Sequence, residues 1–125
     1  MLGEIYMEWI VSMVVLVAIL FLGIRMMPAK GVNSISTREL QKKLDEPNIT
    51  FIDVRTEAEY KAQHIPEFKN MPLGSDLSGL PHDHEIIVIC KSGIRSSQAC
   101  KQLVKLGYTN VTNVRRGING LRVAK

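Results

Sequence analysis

The sequence predicts an α/β fold, an open parallel sheet flanked by helices, with one transmembrane helix ahead of it. Three observations carry this reading. Glu85-Ile-Ile-Val-Ile-Cys90 holds consecutive apolar residues, as in a strand buried on both faces of a parallel sheet. Helix-like and strand-like segments alternate along the rest of the chain, which points to crossover connections. Trp9–Ile24 (WIVSMVVLVAILFLGI) contains no charge.

That uncharged run has 16 residues. It spans about 24 Å as a helix at about 1.5 Å per residue, slightly less than the roughly 17–20 residues a bilayer core requires. Met26, Met27 and Pro28 extend it past Arg25, whose long stem reaches back to the interface. A signal peptide calls for a positive start and a small-residue cleavage site. Glu4 and Glu8 stand at the start instead, without Lys or Arg. A buried core helix would have no polar face. A membrane anchor fits best. Basic residues set orientation, and Arg25, Lys30, Arg38, Lys42 and Lys43 all follow the run. The expectation is a single-pass cell-membrane protein in contact with membrane lipid, N-terminus out and remainder cytoplasmic. Residues 1–27 are assigned to the anchor, 28–35 to a linker and 36–122 to the folded domain.

From Pro28 onward the chain has 98 residues, 15 basic and 10 acidic. This modest positive excess suits an anionic leaflet or a small anionic substrate as well as it suits a solvated surface. No basic stripe interleaved with aromatics occurs, so nucleic acid is not an expected partner. The two cysteines, Cys90 and Cys100, form no C-x-x-C pair and would stay reduced in a cytoplasmic domain. His82 and His84 sit in a charged loop, LPHDHE, with no third ligand in view. No metal and no cofactor is expected.

Ser36-Thr-Arg-Glu39 reads as a capping box opening a helix, with Leu40 and Leu44 on its apolar face. Ile49–Val54 is β-branched and apolar, a strand. Thr56 caps a short helix over 57–62, and a Pro-rich loop runs from His64 to about Leu80. After the Glu85–Cys90 strand, Ser96 or Ser97 caps a helix whose buried side is Ala99, Cys100, Leu103, Val104 and Leu106. Gly107 stands at its C-terminal cap. Val111–Val114 is a further strand.

The chemistry is expected in CKSGIRS, Cys90–Ser96. Ligands of open α/β sheets bind beyond the carboxyl ends of strands, and Cys90 ends one. Gly93 allows a tight turn. The loop amides and a helix N-terminus then converge into an anion cradle touching the sulfur. The same field, with Lys91 and Arg95 near, should lower the thiol pKa and leave a nucleophilic thiolate. Arg95 offers a planar fork that fits an oxyanion. A cysteine ending an apolar strand is often only a small buried hydrophobe. The Gly and Arg at fixed offsets favour function for Cys90; Cys100, without them, is read as core.

Together these blocks resemble the rhodanese-like sulfurtransferase family: FIDVRTEAEY (51–60), HIPEFKNMPL (64–73), CKSGIRS (90–96) and NVRRGI near the end, covering about Val32 to Leu121. The resemblance implies an enzyme in which Cys90 attacks the outer sulfur of a donor such as thiosulfate, becomes a persulfide, and passes sulfur to a thiol or a partner protein's cysteine. The loop of Lys91, Ser92, Gly93, Ile94, Arg95 and Ser96 would bind the donor and the persulfide charge, with Lys91 attracting at the rim. His64, Asp53 and Arg55 would be structural. Glu67, Phe68, Gln63, Arg116 and Leu121 depart from the family's usual residues, Arg116-Gly117 standing for Gly-Gly. Two other readings stay open. One is a slow sulfur-carrier or regulatory module docking a membrane partner. The other is a cysteine phosphatase, whose usual loop has five residues between Cys and Arg where this one has four.

Overall fold

The computed structural model describes residues 2–26 and 31–123. The chain runs α1 (Leu2–Met26), β1 (Val32–Ile35), α2 (Thr37–Lys43), β2 (Ile49–Asp53), α3 (Glu57–Ala62), β3 (Lys69–Asn70), β4 (Glu85–Ile89), α4 (Ile94–Lys105), β5 (Val111–Val114) and α5 (Gly117–Val123). The five strands form one sheet, ordered β1-β5-β4-β2-β3, and every pairing is parallel.

Side chains alternate across a strand, and β4 feeds both cores. Ile86, Val88 and the following Cys90 pack with Ala99, Cys100 and Leu103 of α4. Ile87 and Ile89 pack with Leu40 of α2, Phe51, Phe68 and Ile118 of α5. Burial on both faces explains the unbroken apolar run. It also makes β4 the strand around which the domain assembles.

The Ser36–Glu39 capping box forms as its sequence predicts. Ser36 Oγ accepts from Glu39 N at 3.1 Å, and the Glu39 carboxylate accepts from Ser36 N. Thr56 does the same with Glu59, a reciprocal partner that the sequence reading had not paired with it. α4 ends as expected at Gly107, φ +96°: its N–H donates to Val104 O, and Tyr108 N donates to Leu103 O. Both bonds satisfy last-turn carbonyls.

Several expectations are corrected. Val32–Ile35 belong to the sheet, not to a linker: β1 pairs with β5 from Val32–Val111 to Ile35–Val114. Only Ile35 of the four is buried, so this edge strand is defined by its pairing rather than by composition. Of the rest of the expected linker, Gly31 is a turn residue, and 28–30, with Met27, lie outside the described residues. β3 interrupts the Pro-rich loop. Neither Ser96 nor Ser97 caps α4, whose N-cap is Gly93, and Leu106 at its C-cap is exposed rather than buried.

α1 is longer than the uncharged run. Gly3–Ile24, 22 residues, is apolar enough to cross a membrane, and none of it is buried. At about 1.5 Å per residue it matches a hydrocarbon core of about 30 Å.

β2 closes on a buried ion pair. Arg55 Nη2 lies 2.8 Å from Asp53 Oδ2, both side chains almost wholly covered. Arg55 also donates to Gln63 O at 2.7 Å, and Asn70 Nδ2 donates to the Asp53 and Arg55 carbonyls. His64, as expected, pins its loop: Nδ1 is 2.8 Å from Tyr60 O and the ring stacks on Tyr60. Removing one partner of a buried pair strands the other charge. Asp53→Ala should therefore lower domain stability by about 3–5 kcal/mol, read as a reduced urea midpoint with an unchanged slope.

Candidate active site

Because all strands run parallel, the segments after β1, β2, β4 and β5 leave from one edge of the sheet. Cys90 follows β4 there. Its carbonyl accepts from Ile118 N at 2.9 Å, and the Lys91 carbonyl accepts from Asn119 N at 3.0 Å. The start of α5 thus holds the loop by its oxygens. Gly117 makes this approach possible. Its φ is +53°, and a Cβ there would lie 2.0 Å from Cys90 O.

The opposite side of the loop faces the sulfur. Gly93 N donates to Cys90 Sγ at 3.0 Å, and Ser96 Oγ lies 3.3 Å from it. Gly93 has φ +96°, and a Cβ on it would press against Arg116 N at 3.3 Å. Burial pushes the Cys90 thiol pKa up. Hydrogen bonds from the Ser96 hydroxyl and the amides of Ser96, Ser92 and Gly93 outweigh it, leaving the pKa below its ordinary 9.0. Cys100 has burial but no such donors, and it is pushed up to about 12 by burial and then by the charge of Cys90.

The predicted loop residues separate into two groups. Cys90, Ser92, Gly93 and Ser96 converge on the sulfur. Lys91 and Ile94 point outward at the rim, Ile94 being 68% exposed. Arg95 does not face the loop interior as an unpaired fork. Its guanidinium grips Glu59 of α3 through Nη1–Oε1 at 2.7 Å and Nη2–Oε2 at 3.0 Å. Cys90 is fully covered, and the Gly93 amide of its own loop donates to its sulfur.

Three residues of the site were not assigned to it from sequence. Glu59 binds Arg95 while also capping α3, and this ion pair holds its carboxyl down at about 2. Gly117 lies in NVRRGI, where only likeness marked it. Asn113 opens the same block and is a polar side chain within a β-branched strand, and its amide reaches both Gly93 O and Ser96.

A sequence model described as the rhodanese-like domain matches residues 36–124. The chain belongs to the rhodanese-like domain family. A sulfurtransferase of Allochromatium vinosum is 36% identical over 91 residues, 70% of this chain and 85% of that protein. A putative sulfur carrier protein, YrkF, of Bacillus subtilis is 34% identical over 94 residues. The match spans 72% of this chain and about half, 51%, of YrkF. The rhodanese-like domain protein of Staphylococcus aureus superposes with a TM-score of 0.62 at 27% identity, covering 70% of this chain and 89% of that one.

Two outcomes follow for the rhodanese-like domain. Alkylation of Cys90 should rise with pH through a midpoint below 9.0, while Cys100, at about 12, stays unmodified across that range; intact mass of the wild type against Cys90→Ser reads both. Gly117→Ala should be among the most damaging single changes in the domain, costing at least about 3 kcal/mol as backbone is driven from backbone. A third concerns acid. Glu59's folded pKa lies below its ordinary 4.5, so its contribution to stability is complete above 4.5 and disappears as pH falls through about 2. Glu59→Gln keeps the capping box and should flatten that part of the stability–pH curve, measured by thermal melts between those values.

Proposed function

We propose that the protein is a membrane-anchored sulfurtransferase that moves sulfane sulfur from thiosulfate or a persulfide donor to a thiophilic acceptor through a Cys90 persulfide. One observation carries this reading: a sulfur at the carboxyl end of β4 receives the Gly93 amide at 3.0 Å and lies 3.3 Å from the Ser96 hydroxyl oxygen. Such donors favour the charged form of the nucleophile. The sulfurtransferase from A. vinosum, 36% identical, supports the same reaction class.

In the proposed cycle the Cys90 thiolate attacks the outer sulfur of thiosulfate. A new S–S bond forms, the S–S bond of the donor breaks, and sulfite leaves with the electron pair. An acceptor thiolate then attacks the outer sulfur of the persulfide, restoring the Cys90 thiolate. No external oxidant or reductant is consumed. The loop amides serve as electrostatic stabilisers already in place before the reaction. Because Cys90 is covered, donor access requires the rim carrying Lys91, Ser92 and Ile94 to part over it.

That coverage also favours a second reading, a slow sulfur carrier loaded and emptied by protein partners, and YrkF bears a carrier's name. The phosphatase reading gains nothing from the site, since Arg95 is engaged by Glu59. We assign α1 as a single-pass anchor with its N-terminus outside and the domain on the cytoplasmic face. Its length and apolarity and the basic residues Arg38, Lys42 and Lys43 beyond it support this.

The full chain treated with thiosulfate at neutral pH should gain the mass of one sulfur atom, and Cys90→Ser should gain none. Fast release to a small thiol marks a transferase; retention until a protein cysteine is supplied marks a carrier. The absence of any gain, from thiosulfate or from a persulfide donor, defeats both. The anchor is checked by retention in carbonate-washed membranes.

A further inference from the structure

Four groups close a hydrogen-bonded circuit around Cys90. Gly93 N donates to Cys90 Sγ at 3.0 Å, and Gly93 O accepts from Asn113 Nδ2 at 3.3 Å. Asn113 Oδ1 accepts from Ser96 Oγ at 2.5 Å, and Ser96 Oγ lies 3.3 Å from Cys90 Sγ. Asn113 sits half-buried on β5, in register with Val88 of the strand that ends at Cys90. Its NH₂ group is committed to the Gly93 carbonyl, so its oxygen is the end that meets Ser96.

A serine hydroxyl has one proton. Here that proton has two acceptors, the Asn113 oxygen and the Cys90 sulfur. With the sulfur protonated, the S–H donates to Ser96 Oγ and the Ser96 proton goes on to Asn113, a chain in which each bond strengthens the next. With the sulfur negative, the Ser96 proton turns to the charge, because a hydrogen bond to a charged group is the stronger of the two. We propose that Asn113 is a positioning residue that competes with the Cys90 sulfur for the single Ser96 proton, holding it when the sulfur is uncharged and releasing it when the sulfur is negative. Among the described residues, Arg95 and Cys100, both on α4, carry charges that couple to Cys90. Asn113 acts from β5 without a charge.

The consequence for turnover rests on the sulfur-transfer reading. Before attack the charge is on Sγ and Ser96 serves it. In the persulfide the charge moves to the outer sulfur, Sγ becomes a neutral bridge, and the Ser96 proton returns to Asn113. The Ser96 hydroxyl thereby serves both states by rotation.

The test is a double-mutant cycle on the full chain in detergent, with no sulfur donor present. The alkylation midpoint of Cys90 is measured against pH by intact mass for wild type, Ser96→Ala, Asn113→Ala and the double variant. Ser96→Ala should raise the midpoint. Asn113→Ala should lower it by about half a unit where Ser96 is present, or about threefold more thiolate at a fixed lower pH. In the Ser96→Ala background that lowering should vanish. Loss of the Gly93 contact is common to both backgrounds and cancels in the cycle. An equal shift in the two backgrounds, or a rise confined to the Ser96 background, overturns the proposal. Should Asn113→Ala fail to fold, Asn113→Val, a better strand former, enters the same cycle. The persulfide mass test is independent: persulfide formation without coupling removes the role of Asn113 alone, and coupling without persulfide removes sulfur transfer alone.

Discussion

The orientation of two peptide planes decides the chemistry of this chain. In a trans peptide the carbonyl and the N–H point in opposite directions. The Cys90 and Lys91 carbonyls are drawn toward α5 by Ile118 N and Asn119 N. The Lys91 carbonyl shares its plane with the Ser92 N–H, so fixing the oxygen turns that N–H the other way, and it is among the donors that lower the Cys90 pKa. The anion-favouring face of the loop is therefore set from behind, by a helix that never touches the sulfur. Gly117 is the hinge of that arrangement, because no residue with a Cβ can bring α5 so close to Cys90 O.

The pair of cysteines separates burial from hydrogen bonding. Both are fully covered and both belong to the same apolar cluster beneath α4. Burial acts in the same direction on each. Cys100 follows it upward, to about 12, whereas Cys90 moves below 9.0. The difference lies in Ser92, Gly93 and Ser96. The dipoles these residues bring to the sulfur, led in the geometry by the Gly93 amide at 3.0 Å and the Ser96 hydroxyl oxygen at 3.3 Å, exceed its desolvation cost. Apolar surroundings then help the site as well, since a donor aimed at a charge is worth more where water does not compete.

Much of this was legible in the sequence wherever a local rule dictates structure. The consecutive apolar residues of β4, the Ser36–Glu39 capping box and Gly107 at the end of α4 each depend on neighbours within a few positions. What escaped depends on partners far along the chain. β1 contains Asn33 and Ser34 and earns its place by pairing with β5. Cys90's loop was visible from spacing, but its closure over the sulfur was not, because closure is enforced by Gly117 and Asn113 across 20 or more residues. Arg95 was read as part of the loop, without its protein partner. Glu59, 36 positions earlier, is bound to it.

That ion pair changes what the arginine contributes. Glu59 caps α3 through Thr56 and holds both terminal nitrogens of Arg95. One carboxylate thus ties the first turn of α3 to the first turn of α4 across the sheet edge. Its carboxyl titrates near 2, so the pair stays ionised at neutral pH. Arg95 enters the site with its charge already balanced. The amides and hydroxyl that meet the sulfur carry no net charge to be balanced. Stabilisation of negative sulfur therefore rests on oriented dipoles at contact distance, which fall away quickly with distance and act on the bound atom more than on the approaching one. A site built this way favours a charged sulfur through dipoles at contact distance rather than through net charge.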